Sequence, residues 1–173
     1  MDQHLPSDSA RLFLALLPDE ALRTALAAHA GNWQWPAGAA RYAPADWHLT
    51  LHFIGSVPRQ RIDALCPGLT VPLQPFTLRL GRPALWPHGL AVLLPEGGPV
   101  ELQRLHADLG EALHGLGLRV DERPYRPHLT LARHAALAVP APPPVLDWQV
   151  RTYALVESTG NAQQRYRVCR RFD

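Results

Sequence analysis

Two copies of the tetrapeptide His-Leu-Thr-Leu constrain this chain more than any other feature. The copies begin at His48 and His128, 80 residues apart in a chain of 173 residues. If each copy is a β-strand, His and Thr share one face of the sheet and both leucines share the other. The leucines then anchor a core, while the polar pair faces outward. A small domain that repeats this polar face in each half brings two imidazoles and two hydroxyls to one cleft, an arrangement suited to acid–base chemistry on a phosphate.

The paired His-x-Thr-x motifs resemble those of the 2H phosphoesterase superfamily. Within that superfamily, residues 125–133 and 11–16 resemble the bacterial and archaeal RNA 2′,3′-cyclic phosphodiesterases, also called 2′-5′ RNA ligases. The likeness extends over nearly the whole chain. It implies an α+β fold with two pseudo-symmetric lobes of antiparallel or mixed sheet, outer helices and a central cleft.

The resemblance also assigns roles to the four motif residues. His48 matches the general acid that protonates the departing ribose oxygen, and His128 matches the general base that activates water. Thr50 and Thr130 match the hydroxyls that bind the phosphate. This chemistry requires no metal and no nucleoside triphosphate. The sequence contains neither a phosphate-binding loop of the Gly-x-x-x-x-Gly-Lys type nor a set of metal ligands at convincing spacing, so we expect no cofactor.

Four further residues near the motifs are candidates for the site. His52 follows Thr50 on the same strand face if alternation continues, which predicts a cleft neighbour that contacts substrate. Arg126 lies two residues before His128 and shares its face if alternation continues through Pro127, in which case its guanidinium can clamp phosphate. If Pro127 breaks the alternation, Arg126 is a solvated charge at the strand entry. Tyr125 either stacks on a base or covers the core. Arg133 has the opposite parity to His128 and is expected to point away unless the strand ends there.

Local patterns predict the remaining elements. Spacings of three and four between leucines predict helices at 19–30 and 99–116, and residues 59–65 favour a short helix. Apolar or alternating runs predict strands at 11–17, 47–54, 76–80, 90–94, 128–132, 148–157 and 164–170. Residues 139–145 form a proline-rich extended linker. We expect a loose leader over residues 1–9 and a single domain over residues 10–173.

Composition sets the outer limits of function. The net charge of +2 favours a local anion site over a long groove that coats nucleic acid. The two cysteines, Cys66 and Cys169, form no metal or disulfide framework and are expected to be buried or half-buried. The sequence contains no apolar run long enough for a bilayer and no secretion signal. We therefore expect a cytoplasmic protein without a membrane partner. We also expect a monomer, because no sustained apolar stripe is left unexplained.

These observations lead to one main hypothesis and two alternatives. The main hypothesis is hydrolysis of an RNA terminal 2′,3′-cyclic phosphate, or of a nucleotide carrying that group, to a 2′-phosphate. The first alternative is reversible, ATP-independent 2′-5′ joining of RNA ends such as transfer RNA halves. The second is a binding module that recognises nucleotide phosphates without turnover.

Overall fold

The computed structural model describes residues 8–173, which form nine strands and three α-helices. The strands are β1 (Ser9–Leu16), β2 (Ala40–Arg41), β3 (Leu49–Pro58), β4 (Phe76–Trp86), β5 (Leu90–Pro95), β6 (Leu129–Arg133), β7 (Asp147–Val150), β8 (Tyr153–Ser158) and β9 (Tyr166–Phe172). The helices are α1 (Glu20–Gly31), α2 (Ile62–Leu65) and α3 (Val100–Gly115). The predicted leader lies mostly outside the described residues, although Ser9 already belongs to β1.

Short-range signals explain the two long helices. Asp19 caps α1, because its carboxylate accepts a hydrogen bond from the backbone N–H of Leu22 at 2.8 Å. In α3 one apolar stripe is buried, and its members are Leu102, Leu105, Leu109 and Leu113. Both helices therefore begin and end within a residue or two of the predicted bounds.

All strand pairings in the described range are antiparallel and join into one nine-stranded sheet. Its order is β7-β4-β5-β6-β3-β1-β8-β9, and β2 adds to β6 at one side. We call β3, β1, β8 and β9 the first lobe, and β6, β5, β4 and β7 the second lobe. The predicted α+β class is confirmed, and the sheet is antiparallel rather than mixed.

The two lobes repeat one unit of chain. In the first lobe, β1 is followed by α1 and then by the motif strand β3, which pairs with β1. In the second lobe, β5 is followed by α3 and then by the motif strand β6, which pairs with β5. The lobes meet where β3 pairs with β6, at the single residue pair Leu49 and Leu129. The repeated tetrapeptide thus marks equivalent positions at the junction between the lobes.

Three predicted strand bounds are corrected by the structure. The run at 148–157 divides into β7 and β8, which pair in opposite lobes. The first motif strand does not stop at Gly55, because this glycine adopts a φ of 91° and the strand continues to Pro58. The strand that starts at Phe76 runs to Trp86, beyond the predicted end at residue 80.

The cysteines and the character of the helices complete the description of the fold. Cys66 is buried and Cys169 is half-buried, and both are free thiols, as their expected packing role requires. Among the helices of residues 8–173, none combines the length and the apolar character needed to cross a bilayer.

Candidate active site

The catalytic candidates lie at the junction between the lobes. Because Leu49 pairs with Leu129 in antiparallel register, one further step on either side sets His48 across from Thr130 and Thr50 across from His128. Residues directly opposite in such a pair have Cβ atoms about 5 Å apart. Each motif histidine therefore lies beside the threonine of the other motif, and all four side chains are half-buried.

The two histidines are oriented in the same way. Nδ1 of His48 lies 2.8 Å from the carbonyl oxygen of Asp46, and Nδ1 of His128 lies 2.8 Å from the carbonyl oxygen of Arg126. A carbonyl oxygen only accepts hydrogen bonds, so Nδ1 is the protonated nitrogen in each neutral ring. Nε2 of each ring is thereby left to exchange protons with a ligand.

The aromatic surroundings of the two rings differ. The ring of His48 lies 5.0 Å from that of Phe13 and 4.9 Å from that of Tyr166, the latter edge-on. The ring of His128 lies 4.5 Å from that of Trp86. The guanidinium of Arg126 packs over the face of Trp86, with its central carbon 4.5 Å from the ring centre. Arg126 is thus on the same side as His128. This position is the one that a phosphate-clamping role for Arg126 requires.

Burial lowers the pKa of both histidines below the usual value. For His48, smaller contributions come from the backbone carbonyl and the carboxylate of Asp46, which raise its pKa, and from the charge of His128, which lowers it. For His128, the carbonyl of Arg126 raises the pKa and the guanidinium of Arg126 lowers it. A cationic His48 therefore has a carboxylate nearby, whereas a cationic His128 has a guanidinium nearby.

The expected cleft position of His52 is wrong. On β1, Leu14 pairs with His52 and the next residue, Ala15, pairs with Thr50, so Leu51 is an extra residue that forms a β-bulge. The bulge reverses the alternation, and His52 turns to the opposite face, where it is only 4% exposed. Its Nε2 donates to the carbonyl oxygen of His106 on α3 at 2.7 Å, and the two imidazole rings stack.

Tyr125 packs against the core on the side of His106. Its ring stacks on that of His106 with centres 3.8 Å apart, and its hydroxyl donates to the carbonyl oxygen of Thr50 at 2.8 Å. Burial raises the pKa of this hydroxyl, which keeps it protonated as a donor. Of the two alternatives for Tyr125, the core-covering one is observed, so its assignment as a substrate-binding residue is corrected.

The second motif strand contains the same irregularity as the first. Ala91 pairs with Ala132 and Val92 pairs with Thr130, which leaves Leu131 as the extra residue of a bulge. The bulge turns the exposed Arg133 toward the side of the catalytic candidates, and its charge contributes to lowering the pKa of His48. The expectation from strict alternation, that Arg133 points away, is therefore corrected.

Three aromatic residues of the site were not among the predicted site residues. They are Phe13, Trp86 and Tyr166. Phe13 and Tyr166 come from the two ends of the chain, and the register of β1 with β8 and of β8 with β9 brings them together. Trp86 ends a strand of the second lobe, and no local pattern distinguishes it from a core tryptophan. Within residues 8–173, no cluster of three or more metal-ligating side chains is present.

Comparisons with known proteins agree with this geometry. A family model described as the 2′-5′ RNA ligase superfamily matches residues 18–161. The RNA 2′,3′-cyclic phosphodiesterase of Escherichia coli strain K12 is 34% identical over 163 residues, covering 88% of this chain and 86% of that protein. The protein of the same name from Thermus thermophilus is 34% identical over 165 residues, covering 86% of this chain and 81% of that protein. This chain belongs to the 2′-5′ RNA ligase superfamily.

Solved structures support the same membership. The crystal structure of Escherichia coli LigT in its apo form superposes with a TM-score of 0.81 at 28% sequence identity, covering 94% of this chain and 96% of that one. The range matched by the superfamily model contains both His-Leu-Thr-Leu motifs. Phe13 and Tyr166 lie outside that range.

Proposed function

We propose that this protein hydrolyses the terminal 2′,3′-cyclic phosphate of RNA to a 2′-phosphate, with His48 as general acid and His128 as general base. The observation that carries the proposal is the matched orientation of the two imidazoles. Each donates Nδ1–H to the carbonyl oxygen two residues before it, and each has a motif threonine across the junction. The names of the relatives support the choice of substrate.

In the proposed reaction, the Nε2 atoms of His48 and His128 act from opposite sides of one bound phosphorus. His128 takes a proton from water as the new P–O bond forms. The bond between phosphorus and the ribose 3′ oxygen breaks in line, and His48 gives its Nε2 proton to that oxygen. Thr50 and Thr130 donate hydroxyl hydrogens to the non-bridging oxygens, where charge develops. Solvent then returns the proton from His128 to His48.

The differing surroundings of the two rings support this division of roles. Burial lowers the pKa of both rings. At His48 the Asp46 carboxylate acts to raise the pKa, against the positive charges of His128 and Arg133, whereas at His128 the Arg126 guanidinium lowers the pKa further, as a base requires. Arg126 lies at the edge of the site and is proposed to contact the phosphate of the substrate. The four motif side chains come from one chain, so a monomer is sufficient for catalysis. A substrate of RNA agrees with the predicted cytoplasmic location.

The deciding experiment measures hydrolysis of an RNA oligonucleotide that ends in a 2′,3′-cyclic phosphate, with a chelator present. We expect a 2′-phosphate product, and a loss of about 10²- to 10⁴-fold in kcat for His48→Ala and for His128→Ala. His114→Ala, which changes an exposed histidine on α3, is the matched control and keeps full activity. Full activity in either motif variant, with the fold verified by circular dichroism, excludes the mechanism.

Reversible 2′-5′ ligation is a second candidate, favoured by the near-identical anchoring of both histidines. A ribose 5′-hydroxyl that replaces water as the nucleophile gives its proton to His128, and His48 again protonates the departing 3′ oxygen. In the reverse reaction, which cleaves the 2′-5′ linkage, the acid and base roles exchange, and each ring presents Nε2 in the same way for either role. Incubation of cleaved transfer RNA halves, followed by mapping of linkages, tests this activity. Tight binding of a cyclic nucleotide without any product across pH 4–9 would instead identify a binding module.

A further inference from the structure

The in-line geometry of the proposed reaction determines on which side of the phosphorus the RNA lies. Water enters from the His128 side, and the departing ribose oxygen leaves toward His48. The ribose carries the rest of the polynucleotide, so the chain upstream of the cyclic phosphate extends over the first lobe. This inference rests on the proposed function and identifies the surface that would distinguish RNA from a mononucleotide.

Register defines which side chains of the first lobe extend away from His48. Phe13 on β1 pairs with Phe53 on β3. Arg11, two residues before Phe13 on β1, pairs with Ser56 on β3. On the other side of β1, Arg11 pairs with Ser158 of β8. Because β1 and β8 pair without a register shift, Arg11 and Phe13 share one face. We call Arg11, Phe53, Ser56 and Ser158 the outer row of this face.

Phe53 is the member of the outer row whose exposure is unusual for a large aromatic side chain. Its side chain is 65% exposed, although the bulge at Leu51 directs it to the same face as the site. Its ring centre lies 6.2 Å from that of Phe13, whose ring in turn contacts His48. An exposed aromatic ring that continues the aromatic surroundings of a catalytic histidine is a stacking platform for a base.

The charge beside Phe53 fits a phosphate. Arg11 is exposed and lies two residues beyond Phe13, about 7 Å farther along the strand. Within residues 8–173, no carboxylate forms a salt bridge with Arg11. Hydroxyl side chains flank it on both neighbouring strands, and neither serine carries a charge that would repel phosphate. An exposed guanidinium next to an open aromatic ring suits single-stranded RNA.

We propose that the outer row binds the nucleotide immediately upstream of the cyclic phosphate, with its base stacked on Phe53 and a backbone phosphate at Arg11. The outer row is continuous with the catalytic site and complementary in charge to a polynucleotide. A mononucleotide 2′,3′-cyclic phosphate has no upstream nucleotide to place on this row. The row therefore selects RNA ends over mononucleotides without taking part in the chemical step.

The test compares a cyclic mononucleotide with a trinucleotide that carries the same terminal cyclic phosphate. Phe53→Ala and Arg11→Met are each expected to lower kcat/KM for the trinucleotide by roughly 5- to 100-fold, the range for loss of one stacking or phosphate contact. Both variants keep kcat/KM for the mononucleotide. Leu137→Ala and Arg61→Met, which change an exposed leucine and an exposed arginine elsewhere, are the matched controls.

Each contrary outcome overturns the proposal. An equal loss for both substrates shows that Phe53 supports the fold of the site rather than the RNA. A loss confined to the trinucleotide in Trp86→Leu, with Phe53→Ala unaffected, shows that the RNA extends over the second lobe. A change of oligomeric state in light scattering for Phe53→Ala, without a kinetic effect, shows that the row binds a second copy of this chain.

A failure of the proposed function has a separate signature. If the wild-type protein hydrolyses neither substrate, fluorescence anisotropy with a labelled trinucleotide ending in a 2′-phosphate measures binding directly. Weaker binding by Phe53→Ala and Arg11→Met then supports the outer row although the reaction is wrong. Equal dissociation constants for the wild type and both variants reject the outer row.

Discussion

Leu51 and Leu131 occupy equivalent positions in the two motif strands, and each is the extra residue of a β-bulge. Each follows the motif threonine directly, and the strand paired with it, β1 or β5, skips it in the register. Both leucines are buried at 2% exposure or less. The bulge therefore buries two consecutive side chains and turns the next one to the face that carries the motif histidine and threonine. Phe53 and Arg133 owe their orientation to this shared irregularity.

Removal of a motif hydroxyl is predicted to slow the chemical step. Thr50→Val or Thr130→Val takes away a donor aimed at the phosphate oxygens, and loss of one such donor costs about 10²- to 10³-fold in kcat. Steady-state kinetics on a 2′,3′-cyclic nucleotide measures the loss. Thr50→Ser and Thr130→Ser retain the hydroxyl and should recover most of it. An unchanged kcat in the valine variants would remove the threonines from the mechanism.

The pH profile of the wild-type protein is predicted to be displaced to acid pH. Burial lowers the pKa of both motif histidines. In the free protein, His48, the proposed general acid, therefore loses its proton at a pH below the usual histidine pKa of about 6.5. The basic limb of kcat/KM is therefore expected below pH 6.5. Bound phosphate is an anion that favours the cationic ring, so the basic limb of kcat is expected at higher pH. A kcat/KM limb above pH 7.5 would contradict the lowered values.

Arg126 is predicted to influence the acid limb of the same profile. Its guanidinium lowers the pKa of His128, after burial the second of the lowering effects on that ring. Arg126→Met removes the charge, so the pKa of His128 rises. The acid limb of the pH profile, which reports deprotonation of this base, therefore moves to higher pH. Arg126→Lys keeps the charge and should leave that limb in place. If the acid limb lies at the same pH in the wild type and in Arg126→Met, solvent screens the Arg126 charge from His128.

Tyr125→Phe is predicted to weaken the connection between the two motifs. The lost hydrogen bond to the carbonyl oxygen of Thr50, at 2.8 Å, is worth about 0.5–1.5 kcal/mol in the free energy of unfolding. Urea denaturation measures this change. We also expect kcat to fall less than tenfold, with KM unchanged, because the hydroxyl acts on the backbone of Thr50 and not on substrate. A large rise in KM would instead indicate contact with substrate.

The stacked rings of His52, His106 and Tyr125 are predicted to make stability depend on pH. Burial, followed by the charge of His52, lowers the pKa of His106 to about 4, whereas the unfolded chain has the usual value of about 6.5. The unfolded state binds more protons in this window, so stability is complete above pH 6.5 and falls as the pH approaches 4. His106→Phe preserves the stacking and should flatten this dependence in urea denaturation at several pH values. If the free energy of unfolding changes with pH in His106→Phe as it does in the wild type, other titrating groups cause the dependence.

The sequence by itself determined the repeated motif strands and the two long helices, and it supplied the hypothesis of acid–base chemistry at the motifs. These features depend on local rules: alternation along a strand, leucine spacing on a helix, and the pKa of histidine. The shared face of the motif histidines and threonines could be predicted because each of them is adjacent to buried leucines that fix the orientation of its strand.

Only the tertiary structure decided which further residues share that face. A bulge arises from the pairing of two strands, and the spacing within one strand does not reveal it. Strict alternation therefore misplaced His52 and Arg133, whose orientations were reversed by Leu51 and Leu131. Phe13, Trp86 and Tyr166 are distant from the motifs in sequence, and only strand register and side-chain packing bring them to the histidines.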